Sequence, residues 1–317
     1  MIAPVKLAKG DIVAITAPSG PCEPSKVNLA LRAVEKLGLR PYVMESCYSR
    51  HGYFAGKDSL RASDIMNAFK DPKIKGIFSL RGGYGVQRLL PLLDYNLIAA
   101  NPKIFTGYSD IAALHIVLNQ ICHLITYHAP MAATELPEID EWSLRSFLGN
   151  VMQGHTPTKL TFDCVAPSAG SFSGTGEFSV IETSGNAGPF GGVTGILAGG
   201  NLSLLASSLG TPYEIDTDGK ILFIEEIQEE PYRVDRMLLQ LKHAGKLNDC
   251  QAILLGSFFP ETNKTLIQAI EEILIPTGKP LGINFSCGHS LPTATLPLGA
   301  SVSFERDCGA GCISMIF

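Results

Sequence analysis

The 317-residue sequence has little charge, no long apolar run and no clustering of cysteine or histidine, and each shortage removes a class of function. Charged residues make up 17% of the chain, for a formal net charge of −5. No block of like charges occurs, so neither a polybasic membrane anchor nor an acidic tail is expected. A basic face for nucleic acid is missing too, and no nucleic-acid partner is expected. No segment approaches the ~20 apolar residues of a membrane helix, so no membrane partner is expected either. The opening Met1-Ile2-Ala3-Pro4-Val5-Lys6 and the short apolar run Ile12 to Ala17 do not read as a secretory leader, and a cytoplasmic location follows as an expectation. The eight cysteines are scattered. Only Cys308 and Cys312 are close, with no second half to build a zinc site, so reduced thiols are expected. No His-x-x-x-His pair and no completed Gly-x-Gly-x-x-Gly or Walker pattern appear, so neither metal nor cofactor is expected.

What is present is apolar residue in regular alternation. At 45% hydrophobic, the chain can bury a large interior, and its length suits two domains. Short β-type runs at 11–16, 41–44, 74–80 and 104–106 alternate with helical patterns at 25–37, 59–69, 86–93 and 111–119. This predicts a mostly parallel, doubly wound sheet over residues 1–150. Residues 151–192, and 154–192 above all, are rich in Pro, Ser, Gly and Thr and read as a linker with β-rich pieces. A second, smaller α/β domain is expected over 193–317. Its helices run from 201 to 209, 233 to 244 and 264 to 274, its strands lie at 220–225 and 252–256, and its tail alternates like antiparallel strands.

The sharpest local feature is Thr106-Gly107-Tyr108-Ser109-Asp110, where a strand delivers a serine to a tight turn just before a helix. That is the layout of a nucleophile elbow, though the second glycine of the hydrolase pattern is replaced by Ile111. A serine there is equally the ordinary N-cap of a helix. A nucleophilic serine needs a base and an orienting carboxylate. His289 lies in a loop between Gly288 and Pro292, whereas His115 and His128 suit structural roles. Glu225 and Glu226 end a strand, the edge where open α/β sheets gather ligands, and read equally as a solvated acid pair. Arg81-Gly82-Gly83-Tyr84-Gly85 allows a main chain to approach a ligand closely, or is a plain tight turn.

Together these segments resemble the LD-carboxypeptidase family of serine peptidases, which includes muramoyltetrapeptide carboxypeptidases and microcin-immunity hydrolases. The resemblance is carried by Ala17-Pro18-Ser19-Gly20, the Arg81–Gly85 loop and Gly107-Tyr108-Ser109-Asp110. It continues through Gly199-Gly200-Asn201-Leu202, Phe223-Ile224-Glu225-Glu226, Pro231-Tyr232-Arg233-Val234-Asp235-Arg236 and Gly288-His289. It implies a triad of Ser109, Glu225 and His289, with Glu226 as the lesser candidate for the acid, and an active site at the domain interface. Asp110 and Gly83 (or Gly82) are the implied oxyanion donors. The implied substrate is a small peptide or muropeptide, cleaved between meso-diaminopimelate and terminal D-alanine during peptidoglycan recycling; a homodimer is also implied. Arg81, Tyr84 and Arg233 are candidates for substrate binding, with Arg233 or Arg236 alternatively pairing with Asp235. Two other functions stay open: hydrolysis of aspartyl-nucleotide amides, and peptide binding without catalysis.

Overall fold

The computed structural model describes residues 1–155, 160–163, 180–181, 192–259, 264–283, 285–307 and 312–316. Most of the linker, and Cys308 of the close cysteine pair, lie outside the described residues. The chain divides into two compact units, one of Met1–Thr158 with Pro292–Gly299 and the other of Lys159–Leu291 with Ala300–Phe317. Among the described residues no helix is long and apolar enough to cross a membrane.

In chain order, the strands begin with β1 (Ile12–Thr16), β2 (Arg40–Val43), β3 (Ile74–Ser79), β4 (Ile104–Gly107) and β5 (Thr126–His128). There follow β6 (Leu160–Asp163), β7 (Val180–Ile181), β8 (Val193–Asn201), β9 (Lys220–Ile227), β10 (Ala252–Phe259) and β11 (Leu281–Gly282). The last three are β12 (Leu296–Leu298), β13 (Ser301–Asp307) and β14 (Cys312–Ile316).

The first unit is a six-stranded sheet in the order β12-β5-β4-β3-β1-β2, parallel except for β12. Its central strands are buried almost throughout, as expected where helices cover both faces of a parallel sheet. The helix Pro24–Lys36 starts with proline in its first turn, where no N–H is missed, and buries Val27, Ala30, Ala33 and Val34 on one face. Strand order reverses direction between β1 and β3, and at such a switch point the loops after the two strands part and leave a crevice. Those loops carry Ala17–Gly20 and Leu80–Gly85, and the loop after neighbouring β4 carries Ser109.

One helical expectation is corrected. Residues 86–93 form two 3₁₀ turns, Val86–Arg88 and Leu90–Leu92, and the α-helix begins only at Tyr95. Pro91 supplies no N–H and its ring opposes the carbonyl four residues back, so a continuous α-helix cannot pass through it. Asp94 then caps the helix Tyr95–Ala100, accepting the Leu97 N–H at 3.0 Å.

The second unit is an eight-stranded sheet in the order β6-β14-β13-β8-β9-β10-β11-β7. Strands β8 to β11 run parallel, and antiparallel strands flank them on both sides. The carboxyl ends of β8, β9 and β10 therefore lie side by side, and they bring Asn201, Glu225 and Ser257 to one edge.

Candidate active site

In the first unit, the turn after β4 is strained in the manner of an elbow. Ser109 has φ of 65°, one of three described non-glycine residues with positive φ, and left-handed backbone costs an L-residue roughly 1–2 kcal/mol. Gly107 permits the approach. Its φ is 153°, and a Cβ there would fall 2.8 Å from Ser79 Oγ. The capping role is not realised. The cap positions of the short 3₁₀ turn Ser109–Ile111 and of the helix Ala112–Gln120 are Tyr108 and Ile111, neither with a side-chain cap bond.

The elbow is held from behind. His115, fully buried, places Nε2 2.8 Å from Gly107 O and Nδ1 2.8 Å from Thr126 Oγ1. A carbonyl only accepts, so Nε2 carries the proton and Thr126 donates to Nδ1. The Asn119 amide donates to the same hydroxyl at 3.1 Å, which completes a chain of oriented hydrogen bonds. Burial pushes the His115 imidazole down to about 4 from 6.5. The unfolded chain therefore takes up the proton first as pH falls. Stability is full above about pH 6.5 and is lost towards pH 4, on the order of 3 kcal/mol from this residue. Urea unfolding at pH 7 and pH 4.5 checks this. His115→Gln, which keeps a donor near Gly107, should lose less stability between the two pH values than wild type; an equal loss would assign the effect to other groups.

Asp110 is buried, and its Oδ2 accepts the Val86 N–H at 3.0 Å. Burial raises its carboxyl above the ordinary range, opposed by the hydrogen bond from the Val86 N–H and by the charge of Arg61. The glycine loop lies against the nucleophile. A Cβ on Gly82 would fall 2.9 Å from both Cβ and Oγ of Ser109, and Gly83, at φ 133°, would meet Gly20 N at 3.0 Å. Gly82 O accepts from Gly20 N–H at 3.4 Å and from Arg81 Nε at 3.2 Å. In a trans peptide the next N–H points the opposite way, so the Gly83 N–H is aimed from the β1 side towards the β4 side, where Ser109 stands.

The other expected residues of this loop are placed as follows. Arg81 also donates from Nη1 to Pro21 O at 3.2 Å, so its guanidinium is engaged with backbone. Tyr84 is 54% exposed and lies beside Tyr53, 66% exposed, with ring centroids 5.9 Å apart. Sequence reading missed Tyr53, which sits in a hairpin turn between His51 and Phe54 and carries no pattern of its own.

In the second unit, Glu225 and His289 meet. The fully buried Glu225 places Oε2 2.7 Å from His289 Nδ1. Because a carboxylate only accepts, Nδ1 donates, and a neutral ring then offers its Nε2 lone pair. The adjacent acid does other work. Glu226 Oε1 accepts from Asn201 Nδ2 and from its neighbour Ile227 N–H, each at 2.8 Å. Its Oε2 accepts the Ser203 N–H at 2.8 Å and the Ser203 Oγ at 2.7 Å. Glu226 thus secures the first turn of the helix Leu202–Ser208, and burial raises its carboxyl.

A bulge brings His289 to Glu225. The β10–β9 register shifts between Leu255 and Phe258, which frees main-chain groups that bind the loop. Phe285 N–H donates to Leu255 O at 3.0 Å, and Ser257 N–H donates to Cys287 O at 2.8 Å. Only glycine fits at Gly256, where a Cβ would sit 2.3 Å from Cys287 O, and at Gly288, where it would sit 2.5 Å from Ser257 Oγ. Arg233 is exposed, pairs with Glu229 at 3.3 Å and lies over the Tyr232 ring. Arg233 thus pairs with Glu229, in the segment just before the helix Pro231–His243, rather than with Asp235 as the alternative reading had it.

Comparison with known proteins bears on both units. Residues 13–129 match the LD-carboxypeptidase N-terminal domain and residues 194–304 the LD-carboxypeptidase C-terminal domain. A Bacillus subtilis protein described as a probable murein peptide carboxypeptidase is 39% identical over 310 residues, covering 95% of this chain and 91% of that one. The crystal structure of a muramoyltetrapeptide carboxypeptidase from Oxalobacter formigenes superposes with a TM-score of 0.80 at 28% identity, covering 96% and 97% of the two chains. A structure of MccF in complex with glutamyl sulfamoyl guanosine has a TM-score of 0.81 at 25% identity, covering 99% and 98%. MccF has also been solved with adenosine monophosphate and with aspartyl sulfamoyl adenosine.

These complexes correct the expectation of no nucleic-acid partner, since structural relatives hold nucleotide-derived ligands. Net charge speaks to polyanions, which need a basic face. A single nucleoside is held by its ring and sugar, and bulk charge does not bear on it. The chain belongs to the LD-carboxypeptidase family and is a serine-type hydrolase of that family.

Proposed function

We propose that the chain opens its substrate's amide bond through an acyl-enzyme on Ser109. The observation that carries this is the left-handed backbone of Ser109 at a strand-to-helix turn, a strain that a packing or capping serine has no reason to bear. In this reading His289 takes the Ser109 proton from its Nε2 side as the oxygen attacks the carbonyl. Glu225 holds the ring in the required tautomer and stabilises its charged form. The N–H groups of Asp110 and Gly83 bind the oxyanion; Gly83 is preferred over Gly82 because of the direction of the peptide between them. His289 then protonates the leaving amine, and water hydrolyses the ester.

Two substrate classes fit this chemistry. An aminoacyl-nucleotide amide draws the wider support from MccF and its ligand complexes. It also suits the exposed Tyr53–Tyr84 pair, two side-by-side rings next to the glycine loop on which a planar base can stack. The only tryptophan, Trp142, is half-buried in the helix Glu141–Val151. The L,D-amide of a murein tetrapeptide is supported by the Bacillus subtilis and Oxalobacter formigenes relatives. Arg81 and Arg233 are retained as candidate partners for a substrate carboxylate. Hydrolysis of an aspartyl sulfamoyl adenosine and of UDP-MurNAc-tetrapeptide, followed by product chromatography, separates the two. The nucleotide reading expects the first to have the higher kcat/KM; release of D-alanine as the faster reaction would overturn it.

A further inference from the structure

We propose that Arg61 is a positioning residue for the reaction, a buried clamp that fixes the glycine loop relative to the nucleophile elbow. The proposal rests on the reading of Ser109 as the nucleophile and Gly83 as an oxyanion donor. Arg61 lies in the helix Asp58–Lys70 and is 0% exposed. A guanidinium keeps its charge, and burying one is costly unless it is paired and hydrogen-bonded. Nη2 donates to Asp58 Oδ1, and the guanidinium lies 4.8 Å from the Phe54 ring centroid.

An ion pair with Asp58 does not require burial. Arg88 pairs with Asp58 Oδ2 at 2.8 Å while remaining exposed. What burial adds is contact with the backbone of two loops at the β1/β3 switch point. Arg61 Nη1 donates to Pro18 O, after β1, and to Gly85 O at 3.2 Å, after β3.

The second contact reaches the nucleophile. Gly85 C=O and Val86 N–H belong to one peptide group. Arg61 holds its oxygen, and Asp110 Oδ2 accepts its N–H at 3.0 Å. The peptide is therefore pinned at both ends, by a cation on one side and by the residue following Ser109 on the other. Through it, the N–H of Gly83 and the N–H of Asp110 keep a fixed relation, as two donors converging on one oxygen must. Only glycine allows this at position 85, where φ is 125° and a Cβ would fall 2.6 Å from the Phe54 ring and 2.9 Å from Arg61 Nη1.

The test compares Arg61→Lys and Arg61→Gln with Arg88→Gln, which also loses an Asp58 contact but lies outside the clamp. Steady-state kinetics are read on the hydrolysed amide, well below each variant's unfolding midpoint. Lysine keeps the charge but lacks the planar fork that serves two carbonyls and a carboxylate, so it should not rescue. Both Arg61 variants should lose ~10–100-fold in kcat with KM within ~3-fold, the signature of misplaced oxyanion donors. Arg88→Gln should stay within ~2-fold on the same scale. Folded Arg61→Lys with wild-type kcat, or a loss confined to KM, would overturn the clamp. If the Arg61 variants do not fold, Asp58→Asn frees one end of the guanidinium and should lower kcat ~3–10-fold at constant KM, while an unchanged kcat counts against the proposal. Ser109→Ala is run alongside. If it still hydrolyses the substrate, the nucleophile reading falls; if it is inactive while Arg61→Lys is fully active, only the clamp falls.

Discussion

Ser109→Ala is expected to reduce kcat by roughly 10⁴–10⁶-fold while leaving the unfolding midpoint nearly unchanged. The two halves of that expectation have separate physical causes. Activity falls because the attacking oxygen is gone, and the remaining oxyanion donors act only on water. Stability holds because alanine keeps the Cβ and the same left-handed strain, and a single oxygen leaves. Ser109→Gly sharpens the test. Glycine adopts φ of 65° without the penalty, so this variant should be as inactive yet as stable as wild type or more so, by up to ~1 kcal/mol. Kinetics and thermal unfolding on the three proteins read both quantities. A Ser109→Ala enzyme that retains activity would favour non-catalytic binding or another nucleophile. A destabilised Ser109→Gly would mean that the serine side chain supports the turn.

The second large effect contrasts neighbouring acids. Glu225→Gln should lower kcat by roughly 10³–10⁴-fold with little change in KM, because an amide can present its N–H to His289 and favour the wrong tautomer. Glu226→Gln should instead cost about 1–3 kcal/mol of stability and change kcat only a few-fold. All four described partners of Glu226 are donors, and a glutamine must turn its own NH₂ towards two of them. Chemical denaturation and kcat measured on both variants decide the matter. Reversed outcomes would exchange the roles of the two acids.

The contrast also shows what was legible in sequence. Both acids were visible at the end of a strand, and one of them was paired with a nucleophilic serine by family resemblance. Adjacent strand residues face opposite sides, so only one could meet His289. Which one depends on the bulge at Gly256-Ser257 and on where Asn201 ends the neighbouring strand, pairings between segments far apart in the chain. Tyr53 and Arg61 were missed for the same reason. Neither sits in a patterned motif, and each acquires its place only when loops from different strands converge. The 3₁₀ turns at Pro91 were open to a local argument that apolar spacing alone had overridden.

Pro292–Gly299 shows the limit most plainly. This segment follows the His289 loop, yet it returns to the first unit, where Leu296–Leu298 pairs antiparallel with β5. No local period marks such a return, because edge pairing is set by the partner strand's free hydrogen-bonding groups. The sequence by itself determined the α/β alternation, the two-unit organisation and the serine at the elbow, since these follow from local propensity, spacing and turn chemistry. Tertiary structure decided the left-handed backbone of Ser109, the aim of the Gly83 N–H, the choice of Glu225 over Glu226 as partner of His289 and the burial of Arg61. Those four depend on contacts between segments that no local pattern joins.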